Sequence, residues 1–179
     1  MDSKKLSAGQ EFPVLSIEKI GGGKLNFLDP KGENDWLMVV VYRGKHCPLC
    51  SNYLAELNDL LPKFNALGID VIAMSADPKE KTFVHINKIN PNFDVGYGLT
   101  IEQMATLGLY VSNPRSEEET DRPFAEPGLF IINSENQVQL IDISNAPFVR
   151  PDLKSIINGL GYIRNPENHY PIRGTYTCL

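Results

Sequence analysis

Cys47 and Cys50, in the stretch YRGKHCPLC, are the residues of this chain whose type and spacing point most directly to chemistry. Two thiols separated by two residues can close a small disulfide ring, and as thiolates they attack disulfides or peroxides. Pro48 follows Cys47 directly, and proline suits a first helical position because its missing N–H would be unpaired there anyway. Cys47 is therefore expected at or beside a helix N-cap. There a sulfur faces unpaired backbone N–H groups and the positive end of the helix dipole, and thiol pKa values fall from about 8.5 to roughly 3.5–7.5. Cys50 lies one turn along, and Arg43 and His46 stand close enough in sequence to add positive charge.

Two plainer readings compete with this one. Free cysteines are often buried core residues, and the pair would then be inert packing. A zinc site normally takes four ligands, whereas the chain offers this pair, the distant Cys178 and three scattered histidines. No metal and no cofactor is assigned. The order strand, Cys-x-x-Cys, helix favours redox chemistry over both.

The elements around the pair supply that order. Residues 36–42, WLMVVVY, form a continuous apolar run rich in β-branched residues, the pattern of a strand buried on both faces. Apolar positions over residues 49–67 follow helical spacing, Gly68 supplies a stop, and Pro62 is expected to kink or divide the helix. Residues 69–74 repeat the buried-strand pattern. A strand, a long helix and another buried strand make a βαβ unit in a partly parallel sheet, whose carboxyl edge is where such folds place their sites. A further helix is expected near Asp77, Pro78 and Lys79, capped by the aspartate and ended by Pro91.

Upstream, residues 11–29 read as a hairpin turned at Gly21, Gly22 and Gly23. Downstream, residues 100–107 suit a short helix, and residues 112–127 a polar loop whose acidic run is a solvated surface. Residues 129–132 and 137–143 make a strand pair and residues 151–160 a closing helix. The expectation is one α/β domain over residues 1–179, a thioredoxin-like fold with a central mixed sheet flanked by helices, an N-terminal β-hairpin extension, an arm at 1–10 and a tail at 162–179.

With 179 residues, 42% of them hydrophobic, the chain can bury one substantial core. Its net charge of −5 comes from dispersed acids and bases, so no basic block offers a nucleic acid backbone a surface. No stretch is apolar over the eighteen or so residues that span a bilayer. The expected setting is cytoplasmic, with neither nucleic acid nor membrane as partner.

At the cysteine segment, and over about residues 8–160, the sequence resembles the alkyl hydroperoxide reductase and thiol-specific antioxidant family, the peroxiredoxins of the thioredoxin superfamily. That family carries Pro-x-x-x-Thr-x-x-Cys after a strand. Here Arg43 stands at the proline, Cys47 at the threonine and Cys50 at the peroxidatic cysteine. The family's later arginine directly precedes a GLFII-like strand, and Pro127 stands at that position before GLFII. Thioredoxins place a cis-proline there, facing their own Cys-x-x-Cys. The chain is thus similar to a peroxiredoxin frame with a thioredoxin-like site, as in the subgroup with Cys-x-x-Cys after a Tyr-Arg-Gly turn. Arg122 and Arg150 are candidates to replace the missing arginine, and Cys178 is a possible additional resolving thiol.

The resemblance implies a redox enzyme of the antioxidant type. The first reading is a thiol–disulfide oxidoreductase in which Cys47 attacks and Cys50 resolves. The second is a thiol peroxidase reducing hydrogen peroxide or alkyl hydroperoxides, with Cys50 peroxidatic and Cys47 resolving. A third is a non-enzymatic redox sensor or metal-binding protein. The implied partners are protein or small-molecule thiols and disulfides, peroxides, an external reductant such as thioredoxin or glutathione, and a second copy of the chain in a homodimer. Trp36 and Tyr42 are read as core packing, and His85 and His169 as structural or surface residues.

Overall fold

In a computed structural model that describes residues 5–176, the two buried apolar runs form the centre of one sheet. They are β3 (Trp36–Val41) and β4 (Ile69–Met74), following the hairpin strands β1 (Ser16–Glu18) and β2 (Lys24–Asn26). β3 and β4 pair in parallel, with Val41 beside Met74. A short strand not anticipated from sequence, β5 (Asp94–Gly96), extends the parallel side. On the other side β8 (Gly128–Ile132) pairs antiparallel with β3, and β9 (Val138–Ile143) with β8. The order β5-β4-β3-β8-β9 gives the expected mixed sheet. β1 and β2 pair antiparallel around the three glycines, as the hairpin reading requires.

Helix α1 (Pro48–Ala66) crosses from β3 to β4. It buries Leu54, Leu57, Leu61 and Phe64 against one sheet face, together with Leu153 and Leu160 of α4 (Leu153–Arg164). At about 25 cal/mol per Å² of apolar surface, such side chains each contribute roughly 1.5–3 kcal/mol on burial. The other face carries Phe12, Phe27, Val39, Met74, Phe124 and Phe130. The cysteine end of α1 is therefore anchored to the sheet by a packed helix body.

Several expectations are corrected. α1 is not divided at Pro62 but runs through it to Ala66, because flanking apolar residues hold the helix on the sheet despite the lost backbone bond. α2 (Lys79–Ile89) is capped by Pro78 with no side-chain bond, so Asp77 is not the cap. α3 (Ile101–Thr106) starts on a capping box of Thr100 and Gln103. The 112–127 loop is bracketed by β6 (Val111–Ser112) and β7 (Phe124–Ala125), which pair antiparallel. α4 extends into the expected tail as far as Arg164, and a single 3₁₀ turn follows at Pro166–Asn168. Among the described residues, no helix is long and apolar enough to cross a membrane.

Candidate functional site, a dithiol at the carboxyl edge of the sheet

The chain leaves β3 through Tyr42, whose N–H donates to the Met74 carbonyl at 3.0 Å, and turns through residues 43–46 to reach the helix. Gly44 has φ +137°, and a Cβ there would lie 2.7 Å from the Asp77 carboxylate. Only glycine fits both the backbone angle and the space. Lys45 N–H donates to Asp77 Oδ2 at 2.6 Å. Asp77, read from sequence as a helix cap, instead tethers the turn that presents the cysteines.

Cys47 is the N-cap of α1, with Pro48 in the first turn, as expected. Its sulfur accepts the Cys50 N–H at 3.2 Å, and its carbonyl accepts the Ser51 N–H at 3.1 Å. Both thiols are free, with Cys47 2% and Cys50 0% exposed. Arg150, from the segment before α4, donates through Nη2 to the Val41 carbonyl at 3.3 Å and approaches Cys50 Sγ at 3.6 Å. The Arg150 guanidinium lies 4.7 Å from the centre of the Tyr53 ring, and Tyr53 O–H donates to the Pro151 carbonyl at 3.0 Å. Tyr53 thereby ties the Arg150 segment to α1.

Two influences compete over which sulfur ionises. The helix N-terminus favours Cys47, and Arg150 favours Cys50. The guanidinium carries a full charge, and charge-assisted contacts are roughly twice as strong as neutral ones. The hydrogen bond from Cys47, then the Arg150 charge, the Arg43 backbone N–H and the Arg150 contact itself pull the Cys50 pKa down to about 6 against the opposing cost of burial. The Cys47 thiol is pushed up, first because it serves as donor to Cys50, then by burial and the charge of Cys50. The arrangement favours ionisation of the second cysteine over the first.

The Arg43 guanidinium is held by two acidic side chains. It sits between Glu119 at 3.6 Å and Glu126 at 3.4 Å and lies over the Phe124 ring. The acidic loop is therefore not wholly a solvated surface, since the side chains of Glu119 and Glu126 are buried against Arg43. His46 packs edge-on against Phe124, and both its ring nitrogens are buried without a partner. Burial lowers its pKa. Pro127 is buried beside Gly128, which pairs with Val41 at the end of β3. No cis peptide bond occurs among the described residues, so the thioredoxin-type cis geometry is absent there. Of the two candidate arginines, Arg150 reaches the site, while Arg122 pairs with Asp121 at 3.1 Å. Cys178 lies outside the described residues. His169 is exposed.

His85 has a partner that sequence reasoning missed. Its Nε2 lies 2.7 Å from Ser51 Oγ, which is 3.3 Å from the Cys47 carbonyl. The ring also packs at 5.6 Å on Tyr42, and burial lowers its pKa. A buried histidine on α2 thus braces the first turn of α1. The signal was faint: the helical run of residues 79–89 places His85 on the same face as Thr82, and both are buried. Among the described residues, no three histidine, cysteine or acidic side chains converge as metal ligands.

A mixed five-stranded sheet, a hairpin extension and a Cys-x-x-Cys at the carboxyl edge of a central strand define a thioredoxin-like fold that presents a dithiol. The family model for AhpC/TSA matches residues 8–141, and the chain belongs to that family. It is 25% identical over 114 residues to the thiol-disulfide oxidoreductase ResA of Bacillus cereus, covering 63% of this chain and 62% of that protein. It is 24% identical over 169 residues to the putative peroxiredoxin ycf42 of Trieres chinensis, covering 92% and 81%. In fold it is similar to a mutant of peroxiredoxin 6 of Arenicola marina, with TM-score 0.73 and 20% identity, covering 90% of this chain and 75% of that one. The alignment with ResA thus spans somewhat less than two thirds of that relative.

Proposed function

We propose that the protein is a dithiol peroxidase in which Cys50 reduces a peroxide and Cys47 resolves the product. The observation that carries this reading is Arg150 held against the buried Cys50 sulfur. A thiolate with a pKa of about 6 is largely ionised at neutral pH, and an arginine beside it can stabilise charge developing on the peroxide oxygens. Full burial favours an oxidant as small as hydrogen peroxide or an alkyl hydroperoxide over a protein disulfide. In the balanced cycle, the Cys50 thiolate attacks one peroxide oxygen and the O–O bond breaks. The departing alkoxide or hydroxide takes a proton, and Cys50 becomes a sulfenic acid. Cys47 sulfur then attacks Cys50 sulfur, releasing water and closing the disulfide. Two equivalents of an external thiol reduce that disulfide to the dithiol.

A thiol–disulfide oxidoreductase is the second reading. The Cys47 N-cap position and the similarity to ResA favour it. It requires Cys47 to attack first, although Cys47 is the sulfur of raised pKa and is almost fully covered. The two readings share one disulfide and differ in which sulfur meets the substrate.

The test is the second-order rate constant for hydrogen peroxide with fully reduced protein, paired with trapping in Cys47→Ser. The expected result is a rate orders of magnitude above that of a free thiolate, and a Cys50 sulfenic acid that accumulates in the variant because its resolving thiol is gone. A rate like that of an ordinary low-pKa thiol, with rapid reduction of a test disulfide, would overturn peroxide reduction and install the second reading.

A further inference from the structure

Resting on the reading above, we infer that Tyr53 is the positioning residue of Arg150, and that its ring holds the guanidinium on Cys50 against a rival carboxylate, that of Asp142. Tyr53 stands three residues after Cys50 on α1, so the two are neighbours on one helix face. The Arg150 guanidinium lies over its ring, 4.7 Å from the centre, and its O–H donates to the Pro151 carbonyl at 3.0 Å. The arginine is thus gripped twice by the helix that carries the sulfur, once at its charge and once at the next peptide unit. From there Nη2 reaches the Val41 carbonyl at 3.3 Å and Cys50 Sγ at 3.6 Å.

The rival comes from the sheet. Asp142 of β9 pairs in register with Leu129, whose side chain belongs to the core on the α1 side, so Asp142 faces the same side as Tyr53. Asp142 is half-buried; burial raises its pKa and the Arg150 charge opposes that rise. A guanidinium fork matches a carboxylate geometrically, and Arg43, Arg115, Arg122 and Arg164 each rest on one. Arg150 rests on none among the described residues, and the ring face of Tyr53 supplies the attraction that keeps it at the sulfur. Burial raises the Tyr53 pKa, so its hydroxyl stays a donor to Pro151. Glu56 and Asp152 also stand near Tyr53, and Cys47 and Tyr42 near Cys50.

The test titrates the Cys50 thiolate by its ultraviolet absorbance, with Cys47→Ser as the common background. Tyr53→Leu should raise the midpoint by roughly half a unit to one unit. Tyr53→Phe keeps the ring face and should move it by less than about 0.3 unit. If Tyr53→Leu fails to fold, pentafluorophenylalanine at position 53 keeps the ring's shape, removes its negative face and should raise the midpoint in the same direction. The rise caused by Tyr53→Leu should shrink by more than about half when Asp142→Asn removes the rival charge, and vanish when Arg150→Met removes the cation. A tyrosine that only supports the fold would shift the midpoint equally with and without those changes. That result, or a midpoint unmoved by either ring replacement, would overturn the inference. Peroxide rate constants are measured separately on the same variants. A low peroxide rate throughout would defeat the peroxidase reading, while the titration pattern alone decides the role of Tyr53.

Discussion

Replacing Arg150 with methionine tests the electrostatic core of the site. Methionine keeps much of the length and the contact with Tyr53 while removing the charge 3.6 Å from Cys50 Sγ. Hydrogen bonds to charged groups contribute about 1.5–3 kcal/mol, and one pKa unit corresponds to about 1.4 kcal/mol, so the Cys50 pKa should rise by roughly one to two units. From a starting value of about 6, the ionised fraction at pH 7 would fall from about 90% to between about 50% and 10%. Peroxide reactivity at pH 7 should drop about two- to tenfold from ionisation alone, and raising the pH should recover that part. The thiolate is titrated by its ultraviolet absorbance in a Cys47→Ser background, where the serine hydroxyl keeps a donor facing Cys50. A midpoint that moves by less than about 0.3 unit would refute the assignment of Arg150 as the stabilising cation.

Gly44→Ala should destabilise the reduced protein by about 1–3 kcal/mol through its positive φ, with added loss because the new Cβ meets the Asp77 carboxylate at 2.7 Å. Denaturant unfolding followed by Trp36 fluorescence measures this, and a loss below about 0.5 kcal/mol would mean that the turn is not held as described. The third expectation concerns pH. Burial places the folded pKa of His85 below its ordinary value, so its neutral form stabilises the fold fully above about pH 6.5, and that contribution is lost as pH falls through the lower folded value. His85→Gln, which can still bond Ser51, should show a shallower fall in stability on acidification than the parent. Identical slopes would show that protonation of His85 is not opposed by the fold.

The strands that carry the site were legible because β3 and β4 are continuous apolar runs, a pattern that only a doubly covered strand accommodates. The Cys47 cap and the start of α1 were legible for a local reason too, since Pro48 can occupy few other places in a helix. β5 was not, being three residues long and too short for any period to register. β6 and β7 each span two residues inside a polar stretch, and their pairing depends on contacts that no local pattern encodes. Asp77 was misread for a related reason. Aspartate before proline is a good cap, but the Lys45 N–H, far off in sequence, offered its carboxylate a partner at 2.6 Å.

From sequence alone came the fold class, the Cys-x-x-Cys pair as the candidate site and the expectation that Cys47 caps a helix, all of which rest on interactions within a few residues or on strict periodicity. Tertiary structure decided which sulfur has a cation beside it. Arg150 lies 100 positions from Cys50 and reaches it because Tyr53 holds the segment before α4 against α1. It likewise decided that the guanidinium of Arg43, close to the cysteines in sequence, lies between Glu119 and Glu126. An ionisation equilibrium depends on charges and burial in space, and the long-range folding of the chain sets both.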